Sequence, residues 1–229
     1  MQGEFELRFF EIYRNAQFVE LLMTGAMTSA GLAVAGGLAG LCLAVLLASL
    51  RYAHIPFLSQ IAACYVEFIR NTPLIVQLFF VAFGLPLLLG YAWPFWAHAM
   101  LALTLNFSAY FSEILRAGLA AVSFNQIEAA RALGLSRSAT FLKITLPQAI
   151  ASMYPALNGQ FIFLFLTTGV IAEIGVEDLT SAGLFIDSRT FRSFEVFITL
   201  TAIYVGLALA FKSILKLLEN RLFPWRHLA

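Results

Sequence analysis

The chain has 229 residues, 61% of them hydrophobic and 12% charged, with 14 Lys and Arg against 13 Asp and Glu and a net charge of +1. So few ionic side chains do not coat a water-solvated domain of this size, which excludes an ordinary soluble fold and leaves lipid as the remaining solvent. The near-zero balance also excludes a nucleic-acid interface, which needs a concentrated basic excess to displace counterions, so no nucleic-acid partner is expected.

Taken in chain order, Glu4, Glu6, Glu11 and Glu20 precede the first apolar run. This is the opposite of a basic signal-peptide leader, so the first span is expected to stay in the mature protein. Glu20 and Arg51 enclose 30 residues without Asp, Glu, Lys or Arg, more than the roughly 20 that cross a bilayer, and form span one. Gly31, Ala35, Gly36, Gly37, Ala39 and Gly40 give it a surface for close helix approach, either within the chain or to another subunit. The stretch Tyr52 to Val66, ending in Glu67 and Arg70, predicts an interfacial or strongly tilted helix that leads into span two without crossing. Arg70 and Glu113 enclose 42 uncharged residues. Pro86, Gly90 and Pro94 in their middle predict a break into spans two and three. Lys143 to Glu173 encloses 29 uncharged residues and Glu195 to Lys212 encloses 16, giving spans four and five, the last with Lys212 snorkelling to the interface. Cys42 and Cys64, in or beside apolar runs, read as packing residues.

The fold expected is therefore an all-α integral membrane protein of about five transmembrane helices, one domain over residues 1–229 with a core over 20–222. An N-outside, C-inside orientation places Arg51, Arg70, Arg116, Arg131, Arg137, Lys143, Lys212, Lys216, Arg221 and Arg226 in the cytoplasm. Only Arg8, Arg14, Arg189 and Arg192 are left outside, as the retention of basic residues on the inner side requires.

Residues 123–147 form the longest polar interruption and predict a helical hairpin on the cytoplasmic face. Ile127 to Leu133 are strong helix formers, and Gly134 stands where a left-handed turn would end the helix. Ser136 is placed to cap a second short helix over Arg137 to Ile144, and Pro147 to restart the chain at span four. By composition alone such a hairpin either rests on lipid or docks a partner.

Here the residues carry a resemblance. Glu128-Ala129-Ala130, Gly134 six positions after Glu128, and Leu146-Pro147 resemble the signature loop of permease subunits of binding-protein-dependent ABC importers. The stretches Phe68 to Leu78 (FIRNTPLIVQL) and Ala109 to Gly118 (AYFSEILRAG) look like the corresponding segments of the polar amino-acid branch of that family. So do Pro155-Ala156-Leu157 and Ile174 to Thr180 (IGVEDLT). The sequence departs from the family pattern at Leu166-Thr167-Thr168-Gly169, where a Lys is common, and at Glu173, where an apolar residue is usual.

The resemblance implies a bacterial inner-membrane permease whose hairpin docks a cytoplasmic ABC ATPase dimer, through Glu128, Ala129, Ala130, Arg131, Gly134 and Arg137, with Lys143 nearby. The three basic side chains serve docking or topology alone. It also implies a second permease subunit, identical or homologous, a periplasmic or lipid-anchored amino-acid-binding protein, and lipid around the spans. No cofactor is expected in this chain. It has no Gly-rich run ending in Gly-Lys-Ser or Gly-Lys-Thr, so ATP and Mg belong to the partner ATPase.

Polar atoms inside apolar spans mark the solute path. Asn106, Ser108 and Tyr110 in span three and Asn158, Gln160, Thr167 and Thr168 in span four are candidates, although Ser and Thr also back-bond to their own helix. Glu173, near the outer end, favours a cationic amino acid if it faces the path and is otherwise a solvated acid. Glu113 with Arg116, and Glu67 with Arg70, are spaced three apart and read as ion pairs that lock helices or serve function. His54, His98 and His227 have no zinc-ligand spacing, and no carboxylate pair or nucleophile elbow points to an enzyme. An ion-gradient-driven secondary carrier is the competing reading, weakened by the absence of an internal repeat. A membrane scaffold is a third, under which the ordered motifs have no purpose.

Overall fold

The computed structural model describes residues 7–53 and 55–224. Glu4, Glu6, His54, Arg226 and His227, used in the sequence reading, lie outside the described residues. Among the described residues the chain is helical and has no strand. A short α1, Phe10–Tyr13, precedes α2, Ala16–Tyr52, whose first turn is capped by Asn15 accepting from the Gln17 N–H at 3.0 Å. Then come α3, Leu58–Arg70, and α4, Leu74–Leu89, meeting at 107°. The long α5, Phe95–Ala120, is followed by α6, Phe124–Ala132, and α7, Arg137–Ile174. Two further helices, α8, Leu179–Thr190, and α9, Ser193–Leu222, complete the bundle.

One end of the bundle gathers α1, the starts of α2 and α9, and the α4–α5 and α7–α8 connections. Tyr13 hydrogen-bonds Thr199 at 3.0 Å, the Phe83 and Phe95 rings lie 6.0 Å apart, and Leu21, Phe95, Gly175 and Ser181 line one cleft. The other end gathers the finishes of α2 and α9 and the start of α7: Tyr52 stacks obliquely on Phe141 at 5.6 Å and Tyr154 meets Phe223 edge-on at 5.3 Å. The two ends of the described chain thus lie at opposite ends of the bundle.

Three helices are both long and apolar enough to cross a membrane, α2, α7 and α9, and a fourth candidate arises if the bent α3–α4 pair is taken together. Helix α5 has 26 residues, enough for a crossing at about 1.5 Å per residue, yet it is not among the most apolar. The reason is its place in the bundle. His98, Ala99, Ala102, Leu103, Phe107, Ala109 and Ser112 on α5 are all buried, and the main core assembles around it from α2, α4 and α7. Hydropathy reports contact with lipid, and a helix wrapped by its neighbours is free to carry Asn106, Ser108 and Ser112. Gly36, Gly37 and Gly40 of the small-residue stripe on α2 are used inside the chain. A Cβ on Gly37 would stand 2.8 Å from the Phe161 ring, and one on Gly40 would stand 3.3 Å from the Thr104 carbonyl oxygen, whereas Gly31 meets nothing within 4 Å.

Two expected boundaries move. Pro86 does not break the chain: α4 runs through it and ends at Gly90, whose φ of 69° is left-handed, and Pro94 opens α5. Pro147 likewise does not restart span four, because α7 is continuous from Arg137, so the second short helix of the hairpin is the first turn of that span. The cause is the same in both. A π-turn, Phe80–Gly84 before Pro86 and Phe141–Thr145 before Pro147, widens the ladder just where a proline lacks its N–H and its ring would strike the preceding turn.

The α7–α8 connection is tied to α2 by Asp178. Fully buried, it caps α8 by accepting from the Ser181 N–H at 2.8 Å, while Ser29 of α2 donates to it at 3.4 Å and accepts from the Leu179 N–H at 3.2 Å. Burial pushes this carboxyl from the usual 3.8 up to about 6, against the opposing pull of those hydrogen bonds. The folded chain therefore holds the proton more tightly than the unfolded one, and stability contributed here falls as pH rises through about 4 to 6. Melting curves in lipid nanodiscs should show the wild-type midpoint dropping relative to that of Asp178→Asn across this window.

Candidate functional site

Two features carry the polar residues: the hairpin at one end and a cleft at the α3–α4 bend. In the hairpin, α6 ends in a six-residue turn in which Leu135 N–H donates to the Ala130 carbonyl at 3.2 Å and Gly134 N–H to the Arg131 carbonyl at 2.9 Å. Gly134 holds φ 82°, with open space around it, so the backbone rather than crowding demands glycine there. Ser136 caps α7, accepting from Ala139 N–H at 3.2 Å, as its position predicts. Glu128, Ala129, Arg131, Gly134, Arg137 and Lys143 are exposed, while Ala130 is buried where α6 packs on the first turns of α7. Arg131 and Arg137 line a groove of about 540 Å³ with Tyr52, Ile127 and Phe141. The hairpin thus offers a charged outer face on a rigid, capped turn.

At the bend, Asn71, Thr72 and Pro73 separate the two helices, and the carbonyls that end α3 are satisfied by side chains. Asn71 donates to the Glu67 carbonyl at 2.7 Å and Thr72 to the Phe68 carbonyl at 3.0 Å. Gln77 reaches back from α4 to donate to the Ile69 carbonyl at 2.7 Å and the Thr72 carbonyl at 3.1 Å. It contacts the Thr72 hydroxyl at 2.6 Å and accepts from Asn106 Nδ2 of α5 at 2.9 Å. A cleft of about 490 Å³ opens beside this knot, lined by Arg70, Asn71, Thr72, Asn106, Tyr110 and Thr167, with Phe107 and Phe163 as apolar wall. Arg70 stands over the Tyr110 ring at 5.6 Å.

Of the eight residues expected along the solute path, the cleft brings together Asn106, Tyr110 and Thr167, and Asn158 and Gln160 do not line it. Thr167 back-bonds to the Phe163 carbonyl at 2.8 Å. Ser108 is buried, hydrogen-bonded to Tyr65 at 2.9 Å and donating to the Leu105 carbonyl at 2.8 Å. Thr168 is buried and donates to its own helix at the Phe165 carbonyl. Glu173 is exposed and is not part of the cleft. Gln160 keeps its Nε2 buried without a hydrogen-bond partner among the described residues. Arg70, Asn71, Thr72 and Gln77 were not singled out for the path from polarity alone. They lie in the Phe68–Leu78 stretch that carried the resemblance, so the signal was present without a role attached.

Below the cleft, Glu113 of α5 is shared by three guanidinium groups. Arg116 pairs with it at 2.9 Å, Arg70 at 3.9 Å, and Arg51 from the last turn of α2 bonds it directly. The Glu113–Arg116 pair is therefore formed as its spacing predicts. The expected Glu67–Arg70 pair is replaced, because α3 ends with Arg70 turned toward α5 while Glu67 accepts from Asn71 at 3.3 Å. One carboxylate thus ties α2, α3 and α5. Its side chain is 17% exposed against 47% for Arg116. Glu113→Ala should cost about 2 kcal/mol by removing the charge-assisted bonds that join three helices, whereas Arg116→Ala should cost under about 1 kcal/mol. Paired unfolding measurements in nanodiscs check this order.

Residues 36–224 match the family model described as "Binding-protein-dependent transport system inner membrane component". The L-cystine transport system permease protein TcyL of Bacillus subtilis is 35% identical over 190 residues, covering 80% of this chain and 79% of that protein. The arginine transport system permease protein ArtQ of the same organism is 34% identical over 205 residues, 89% of this chain and 93% of the relative. A solved structure described as an amino acid ABC transporter with histidines superposes with a TM-score of 0.86 at 33% identity, covering 94% of this chain and 99% of that one. With the family model spanning most of a chain built of apolar helices, the protein belongs to the binding-protein-dependent transport system inner membrane components, as a multi-pass inner-membrane permease and a transport rather than a catalytic subunit.

Proposed function

We propose that the chain is the permease of an ABC importer of polar amino acids, cationic ones among them, and that ATP and Mg act on a separate ATPase dimer. The observation that carries this is the exposed, glycine-hinged hairpin at one end of the bundle together with a cleft midway along α5 that pairs a cation, Arg70, with hydroxyl and amide groups. A free amino acid presents a carboxylate to match that cation and an ammonium to donate to the neutral oxygens. Five crossings, N-terminus outside, would put the hairpin in the cytoplasm, where Glu128, Ala129, Arg131, Gly134 and Arg137 meet the ATPase and Ala130 packs α6 on the first turns of α7. A second permease, identical or homologous, and an external amino-acid-binding protein complete the assembly, as the family's dependence on a binding protein supports. That dependence also disfavours the ion-gradient-driven carrier.

Coupling requires the hairpin to stay docked in both states of the ATPase, so that closure of one subunit does work on the other. Gly134→Val forces a β-branched residue into a left-handed conformation, at about 1–2 kcal/mol. Membrane insertion should survive while uptake falls and ATP hydrolysis by the assembled complex continues; uptake at the wild-type rate would remove the hairpin from this role.

The cationic preference rests on Glu173, an exposed acid in the turn that ends α7, and on the arginine permease among the relatives. Uptake of arginine and lysine with the cognate binding protein should decline in Glu173→Gln. Unchanged uptake leaves a polar amino-acid importer without a charge selector at this position.

A further inference from the structure

The two amides at the bend have a direction, and the direction sets the chemistry of the cleft wall. Gln77 Nε2 faces three oxygens, the carbonyls of Ile69 and Thr72 and the Thr72 hydroxyl. Turning this amide over would set its own oxygen against two carbonyl oxygens, so Gln77 is fixed with Nε2 toward α3 and Oε1 toward α5. Oε1 then accepts only a donor, and Asn106 answers with Nδ2 at 2.9 Å. Asn106, 4% exposed and part of the cleft lining, is left with Oδ1 as the atom it offers to the cleft. Main-chain carbonyls at a helix end thereby dictate, through two amides in series, that Asn106 turns an acceptor, Oδ1, away from Gln77 and toward the cleft.

We infer that Gln77 is a positioning residue for solute selection. It locks Asn106 so that Oδ1 receives the ammonium group of the solute, which makes the cleft discriminate against an otherwise identical molecule carrying a hydroxyl there. The inference deepens the amino-acid importer reading and rests on it. An ammonium only donates and suits a fixed acceptor. A hydroxyl loses the charge-assisted bond at a fixed acceptor, but an amide free to turn would donate to its oxygen and recover part of the loss.

The test uses the purified permease–ATPase complex in nanodiscs without the external binding protein, so that only the membrane path selects. The twenty standard amino acids and cystine are screened for direct binding, and the tightest is compared with its 2-hydroxy counterpart. In Gln77→Leu the preference for the amino compound should fall about tenfold, the worth of one directed hydrogen bond, chiefly because the hydroxy compound gains. A merely structural role would weaken both equally and leave their ratio unchanged, which overturns the inference. Gln77→Glu keeps both contacts as the neutral acid, whose O–H donates to the α3 carbonyls while its other oxygen accepts from Asn106 Nδ2, so at low pH the preference should persist even if the complex is less stable. Its loss in this variant also overturns the inference. If the wild-type complex binds none of the probes, the amino-acid reading of the cleft itself fails and the inference with it.

Discussion

A polypeptide in hydrocarbon must satisfy every backbone polar group from within, and the 107° turn between α3 and α4 is the place where this chain comes closest to violating that rule. A helix that stops leaves its last carbonyls without donors, and Pro73 supplies none. Asn71, Thr72 and Gln77 cover the gap with side-chain N–H and O–H groups on the carbonyls of Glu67, Phe68, Ile69 and Thr72. The break is therefore a satisfied structure, and the polar side chains it requires are the ones that make a hydrophilic cleft possible at that depth.

The rest of the architecture follows from holding this broken element against α5. Val66 and Ile69 of α3 pack with Ala109 of α5 and Leu47 of α2, and Glu113 fastens the same three helices through Arg51, Arg70 and Arg116. Helix α5 sits at the centre and collects polar residues on faces that never meet lipid. Two prolines inside long helices are carried by π-turns, so that α4 and α7 bend their ladders without ending. At the opposite end Asp178 and Ser29 join the α7–α8 connection to α2 by polar contacts, beside the close approach of its backbone to Gly25.

Under the proposed function, these arrangements separate two tasks. The hairpin is an exposed, capped turn continuous with α7, a helix that runs the length of the bundle and reaches the cleft at Thr167. The cleft is framed by fixed elements: a locked bend, a central helix and a charge knot beneath.

Much of this is legible in the sequence. Charge-free runs located α2, α7 and α9, the Gly134 and Ser136 signals located the hairpin turn, and the three-residue spacing found the Glu113–Arg116 pair, because each rests on local backbone geometry or on exposure to lipid. The role of Gln77, the transfer of Arg70 from Glu67 to Glu113, and the burial of Ser108 and Thr168 were decided only when helices distant in sequence were packed together. A side chain's polarity is a local property, whereas the partner that satisfies it belongs to whichever helix lies opposite. The prolines show the same division: their missing N–H is fixed by the residue type, but that the chain widens into a π-turn before Pro86 and Pro147 instead of breaking there is a property of the folded helices.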